Sequence, residues 1–215
     1  LRLLLACVLC AFAFQATAAA HVLDEYVEAA QVSLARDGVR VELRLVPGVE
    51  VADRVFALID SDSDGQISSA EEQAYARRVM QDITLEVDGR RAPLALTGVE
   101  FPSRREMKEG DAAIRLRLAA EAELGAAGEH RLSFRNDHLP ELGVYLVNAM
   151  VPATSEIKLG AQERDPLQRE LRLSFRVAPA DTRGPLPWVG VLVLCTCLAL
   201  LLPLWRRMRR RLTMP

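Results

Sequence analysis

The 215-residue chain carries 27 Lys and Arg against 29 Asp and Glu, a formal net charge of −2, and half of its residues are hydrophobic. That balance excludes a disordered polyelectrolyte and a basic nucleic-acid binder, and four cysteines are too few for a disulfide scaffold. The near-neutral total hides a split: residues 21–184 hold 29 acidic against 21 basic side chains, a net of −8, while five arginines crowd the C-terminal end.

Residues 1–20 read as a secretory signal. Arg2 is a minimal basic start, Leu3 to Phe14 is an apolar stretch, and Ala16-Thr17-Ala18 and Ala18-Ala19-Ala20 are both small-x-small cleavage sites. If the cut follows Ala20, the new amine and the imidazole of His21 form a chelate suited to Cu²⁺ or Ni²⁺. If it follows Ala18, His21 is part of a frayed terminus, and this plainer role is preferred.

The next segment alternates. Val39, Val41, Leu43 and Leu45 are separated by Arg40, Glu42 and Arg44, the period of a strand with one wet face. Arg36-Asp37-Gly38 reads as the hairpin turn that opens it.

Residues 49–82 then change period. Val51, Val55, Phe56 and Ile59 recur at helical spacing. Asp60-Ser-Asp-Ser-Asp-Gly-Gln-Ile-Ser-Ser-Ala-Glu71 follows, and it sets oxygen-bearing residues at positions 1, 3, 5, 7, 9 and 12 of a twelve-residue loop. These are Asp60, Asp62, Asp64, Gln66, Ser68 and Glu71. Ca²⁺ takes roughly 6–8 oxygens at about 2.3–2.6 Å, and short carboxylates at alternate positions bend toward one centre. Gln66 is expected to offer its backbone carbonyl, Ser68 its hydroxyl or a water, and Glu71 both carboxylate oxygens. Gly65 stands where the chain turns sharply, and Ile67 is the apolar tether at position 8. Ser68-Ser69-Ala70-Glu71 fits a capping box, with Ala70, Ala74, Tyr75 and Val79 as the apolar face of the helix it opens. Four carboxylates in one loop repel one another unless a cation joins them. An acidic solvated loop is the bland alternative, disfavoured because Glu71 and Ile67 are also in register.

Beyond the loop the alternation returns. Asp88-Gly89 reads as a second hairpin turn. Ile114, Leu116 and Leu118, then Leu132 and Phe134, then Leu171, Leu173 and Phe175 mark strands with one wet face, and the more uniformly apolar Val144 to Val151 reads as a buried strand. Eight or nine strands with two helices after the second give a mostly β protein: an antiparallel β-sandwich over residues 21–178 with the helix-loop-helix at 49–82 inserted. His138, in the polar turn Asn136-Asp137-His138-Leu139-Pro140-Glu141, is expected to hydrogen-bond within that turn, with metal ligation beside His21 as the alternative.

Residues 179–185 form a short linker. Leu186 to Trp205 is an apolar run of bilayer-spanning length with Trp188 and Trp205 near its ends. Arg206, Arg207, Arg209, Arg210 and Arg211 follow in the tail 206–215, which the positive-inside rule leaves in the cytoplasm and beside anionic lipid headgroups. The expected topology is one C-terminal transmembrane helix with the N-terminal domain exported. Cys7 and Cys10 fall in the signal and Cys195 and Cys197 in the span, so the exported domain is cysteine-free. Lys108 and Lys158 are the only lysines beside many arginines and alanines, a bacterial composition that makes the exported side the periplasm or the cell exterior.

Residues 60–71 with their flanks resemble the EF-hand family, which implies Ca²⁺ as the bound ion. EF-hands usually pair, and no second loop is present in the sequence, so affinity in the weak extracellular class, on the order of 10⁻⁴–10⁻³ M, is expected. A start near Ala20-His21, a hairpin, Leu45-Val46-Pro47-Gly48, the loop, and Phe134-Arg-Asn-Asp-His-Leu-Pro-Glu-Leu-Gly-Val-Tyr-Leu-Val-Asn-Ala-Met-Val-Pro152 together resemble the exported N-terminal domain of bacterial membrane proteins related to hydrogenase- and urease-accessory nickel/cobalt permeases. That resemblance implies a sensor or accessory domain beside a membrane transporter. The sequence offers no Gly-x-Ser-x-Gly, His-Glu-x-x-His or phosphate-binding glycine loop. The expectation is therefore a non-enzymatic, membrane-anchored calcium-binding protein, its calcium structural or tuning a membrane partner. The alternative is an accessory or sensor domain for Ni, Co or Cu uptake.

Overall fold

The computed structural model describes residues 24–179 apart from 111, 123, 125 and 126. The expected signal, His21, the linker past Pro179, the apolar span at 186–205 and the arginine tail lie outside the described residues. Among those described, no helix is long and apolar enough to cross a membrane.

The described chain is mostly β, with two five-stranded sheets and three short helices. In order these are β1 (Tyr26–Ala35), β2 (Gly38–Pro47), α1 (Ala52–Ile59), α2 (Ser69–Gln81), β3 (Ile83–Val87), β4 (Arg90–Arg91), β5 (Ala95–Glu100), α3 (Arg104–Glu109), β6 (Ile114–Glu121), β7 (Gly128–Asn136), β8 (Gly143–Ala149), β9 (Ile157–Arg164) and β10 (Glu170–Val177). One sheet runs β5-β6-β2-β1-β8 and the other β4-β3-β7-β10-β9.

The alternation read in β2, β6, β7 and β10 sets their burial. Val39, Val41, Leu43 and Leu45 are buried while Arg40 and Arg44 are exposed. Both sheets turn such rows into one apolar cluster that joins Leu43 and Leu116 to Phe134, Leu173 and Phe175. Each fully buried Leu or Phe contributes about 1.5–3 kcal/mol, which suits a described region without cysteines. The hairpin at Arg36-Asp37 closes with Ala35 opposite Gly38. Gly38 is required there by space as well as by its φ of +150°: a Cβ would lie 2.1 Å from the Ala120 carbonyl oxygen.

Three expectations are corrected. The sheets are not wholly antiparallel, because β8 pairs with β1 in parallel, from Tyr26 opposite Gly143 to Val32 opposite Ala149. The chain reaches β8 from β7 of the other sheet through residues 137–142, and such a crossover is what a parallel pair needs. Val144 to Val151 is not a uniformly buried strand either. It lies at a sheet edge, where Tyr145 and Val147 point inward while Val144, Leu146, Met150 and Val151 are exposed, the last by 86 %. The third concerns α2, whose buried face is Glu71, Tyr75, Ala76 and Val79. Ala70 and Ala74 face solvent, because the inward row passes through the capping glutamate. Helix α3 had not been expected, although Ser103 and Glu106 form a full capping box, the pattern seen at Ser68 and Glu71.

The strands also place the helices. Tyr26, at the start of β1, faces Pro47 at the end of β2 and Gly143 at the start of β8. Helix α2 and the 137–142 segment meet at this end, where the Asp137 amide donates to the Asp82 carbonyl over 2.9 Å. The described chain ends at the other pole, where Arg36 donates to the Ala178 carbonyl at 3.0 Å. A ten-residue strand separates the poles by about 30 Å.

Candidate metal centre

Helix α1 buries Ala52, Val55, Phe56 and Ile59 and ends on Asp60, whose amide donates to the Phe56 carbonyl at 2.9 Å. Its last turn has no basic residue. The negative end of the helix dipole therefore meets a carboxylate, an arrangement that favours a cation. Helix α2 begins with Glu71 and Glu72 in its first turn, where the positive end of its dipole favours anions.

Between the helices the loop folds on its own amides. Asp60 is only 8 % exposed and accepts from the amides of Asp64 at 3.1 Å and Gly65 at 3.0 Å. Asp62 also accepts from the Asp64 amide at 3.1 Å. Two residues in the left-handed region, Ser63 at φ 61° and Gly65 at φ 84°, let the chain reverse this tightly. Nothing lies within 4 Å of a Cβ placed on Gly65, so its requirement is conformational rather than steric.

Glu71 closes the loop. One oxygen accepts from the Ser68 amide and hydroxyl, both at 2.9 Å, completing the capping box. The other accepts from the Ser61 amide at 2.6 Å and hydroxyl at 2.9 Å. These bonds, led by the Ser68 amide and hydroxyl, hold its pKa down at about 2. Glu71 is 6 % exposed. Its charge is thus kept within the protein at neutral pH.

Asp60, Asp62 and Glu71 each place a carboxylate oxygen within 4.8 Å of the other two. That spacing is close enough for one metal ion to touch all three, and it does not select which ion. The other expected ligands lie in the same loop, Ser68 with its hydroxyl 2.9 Å from Glu71 and Asp64 with its amide on Asp60 and Asp62. Asp64 is exposed and accepts from the Gln66 amide at 2.7 Å. Gln66 is exposed, and Ser68 serves as the N-cap of α2. Ile67 is half-buried against the core, as its tethering position suggests. Ser61 had gone unnoticed in the sequence, since position 2 of such a loop has no ligand role.

A polar network behind the loop had also gone unnoticed. The Tyr75 hydroxyl lies 3.0 Å from that of Tyr26 and 3.1 Å from Nε2 of His138. His138 is fully buried, and its Nδ1 is 2.7 Å from Asp82. Both ring nitrogens thus face groups of α2 and its C-cap, outside the turn that carries His138. Asn136 accepts from the His138 amide and donates to Glu28, whose second oxygen is buried without a partner. The available signal was Glu28 itself, a carboxylate on the inward register of β1 between Tyr26 and Ala30.

No family model, curated protein or solved structure matches the chain.

Proposed function

We propose that the chain is a membrane-anchored, exported calcium-binding protein, a β-sandwich with a single EF-hand, in which the ion serves mainly to brace the fold. The observation that carries this reading is the grouping of Asp60, Asp62 and Glu71 inside a twelve-residue loop flanked by two helices. Asp64, the Gln66 carbonyl and Ser68 complete the ligand set on the loop pattern. The ion would neutralise the clustered carboxylates and the negative end of α1, joining the two helices across the loop. A bracing role fits a lone hand better than a sensing one, since the paired architecture that opens an apolar groove in sensors is missing from the sequence. The absence of nucleophile and phosphate-loop motifs supports a binding rather than an enzymatic role. The lipid bilayer is a partner through residues 186–205, and a membrane transporter is the protein partner that the resemblance to permease-associated domains suggests.

Thermal unfolding tests the bracing role. Calcium at about 10 mM raises the melting temperature by roughly 3–10 °C if the affinity lies in the weak extracellular class. Equal melting curves with calcium and with chelator would contradict it.

A further inference from the structure

Helix α2 connects the metal loop to the network around His138. Glu71 and Tyr75 are one turn apart on its buried face, and Asp82 caps its C-terminal end. His138 spans the second half of the helix, with Nε2 at Tyr75 and Nδ1 at Asp82. The segment bearing His138 is itself fixed. The Asp137 amide donates to the Asp82 carbonyl, Asn136 accepts from the His138 amide, and the Tyr145 hydroxyl donates to the His138 carbonyl at 2.6 Å.

The chain of bonds has one consistent direction when the imidazole is neutral. Nδ1–H donates to Asp82, Nε2 accepts the Tyr75 hydroxyl proton, and the Tyr75 oxygen accepts the Tyr26 hydroxyl proton. An imidazolium donates from both nitrogens. The Tyr75 proton must then turn away from His138, and one hydroxyl of the buried tyrosine pair loses its acceptor. A stranded buried donor is costly, so protonation loosens the contact that sets the rotation of α2.

We propose that His138 is a positioning residue for the calcium loop: through Tyr75 it fixes the helix face that presents Glu71, and its protonation lowers calcium affinity. The proposal rests on the calcium-binding reading above. Burial lowers the His138 pKa first, against the opposing effect of the Asp82 carboxylate; Arg78 lowers it further and Glu141 raises it. The remaining titratable groups here are Tyr75 on α2, Tyr26 and Glu28 on β1, and Tyr145 on β8. Glu28 reaches His138 through Asn136. Linkage is reciprocal, so bound calcium must lower the imidazole pKa by the same factor.

The test is calcium titration of the full-length protein at pH 7.5 and 5.5, together with proton NMR of the imidazoles. His138 is assigned by its loss in His138→Gln. Wild type is expected to lose roughly two- to fourfold in affinity at pH 5.5, and saturating calcium to lower the His138 pKa by about 0.7. His138→Gln, uncharged at either pH and able to accept from Tyr75, is expected to bind equally well at both. Tyr75→Phe is expected to weaken binding at pH 7.5 and to flatten the pH ratio. A merely structural network would lower the melting temperature of Tyr75→Phe without moving calcium affinity or its pH ratio, and that result overturns the proposal. Should Tyr75→Phe fail to fold, the wild-type pKa with and without calcium decides. An unchanged pKa refutes the coupling while leaving calcium binding intact. No calcium binding by wild type at pH 7.5 overturns both readings.

Discussion

Glu71→Gln is expected to reduce calcium affinity by on the order of 100-fold or more. The carboxylate supplies charge and two oxygens from the first turn of α2, while the amide keeps one oxygen and presents an NH₂ group to the ion. The substitution acts on the loop without calcium as well. Both Glu71 oxygens accept from amides, Ser61 on one side and Ser68 on the other, and a glutamine satisfies only one side. Acid titration separates the two effects. Glu71 has a pKa lowered from 4.5 to about 2, so its contribution to stability is complete above pH 4.5 and is lost as pH falls through 2. Calcium-free wild type should therefore weaken across that interval, and Glu71→Gln should lack that part of the slope. A variant that bound calcium like wild type would remove Glu71 from the ligand set.

Glu28→Gln is expected to stabilise the protein, and only at high pH. Burial raises the Glu28 pKa to about 8; the Asn136 amide opposes this, and Asp82 and Glu141 add to it. The unfolded carboxyl titrates near 4.5. Between these values the folded state holds the extra proton, so the contribution of Glu28 is complete below pH 4.5 and is lost as pH rises through 8. Glutamine has no such dependence. The variant should match wild type at pH 4.5 and exceed it by roughly 2–4 kcal/mol at pH 8. Urea unfolding at the two pH values measures this. An equal difference at both would mean that Glu28 stays ionised in the fold.

Periodicity made the β framework legible. The alternation in β2, β6, β7 and β10 placed their inward rows correctly, because each of these strands has one face on the common core. It failed at β8, where seven residues rich in valine and leucine resemble a buried strand yet form a sheet edge. Hydropathy records side chains, whereas edge position is decided by which strand a distant crossover brings alongside. The parallel partner of β1 was hidden for the same reason.

The loop was legible because its ligand pattern is local and its helices are close on either side. Three of its carboxylates, Asp60, Asp62 and Glu71, come together in the fold. One Asp64 oxygen accepts from the Gln66 amide, a turn that residue spacing does not resolve. The network of Tyr26, Tyr75, Asp82 and His138 was out of reach, since its members lie up to 112 positions apart (Tyr26 to His138). Glu28 could have been flagged as the charge on an apolar register, but its partner Asn136 lies 108 positions away.

Titration calorimetry of Ca²⁺ into the protein at pH 7.5, with Mg²⁺ and Ni²⁺ alongside, tests the central claim most directly. One calcium site is predicted, with a dissociation constant on the order of 10⁻⁴–10⁻³ M or tighter, and lost in Glu71→Gln. A tight Ni²⁺ site with no calcium binding would contradict the account and point to transition-metal handling instead.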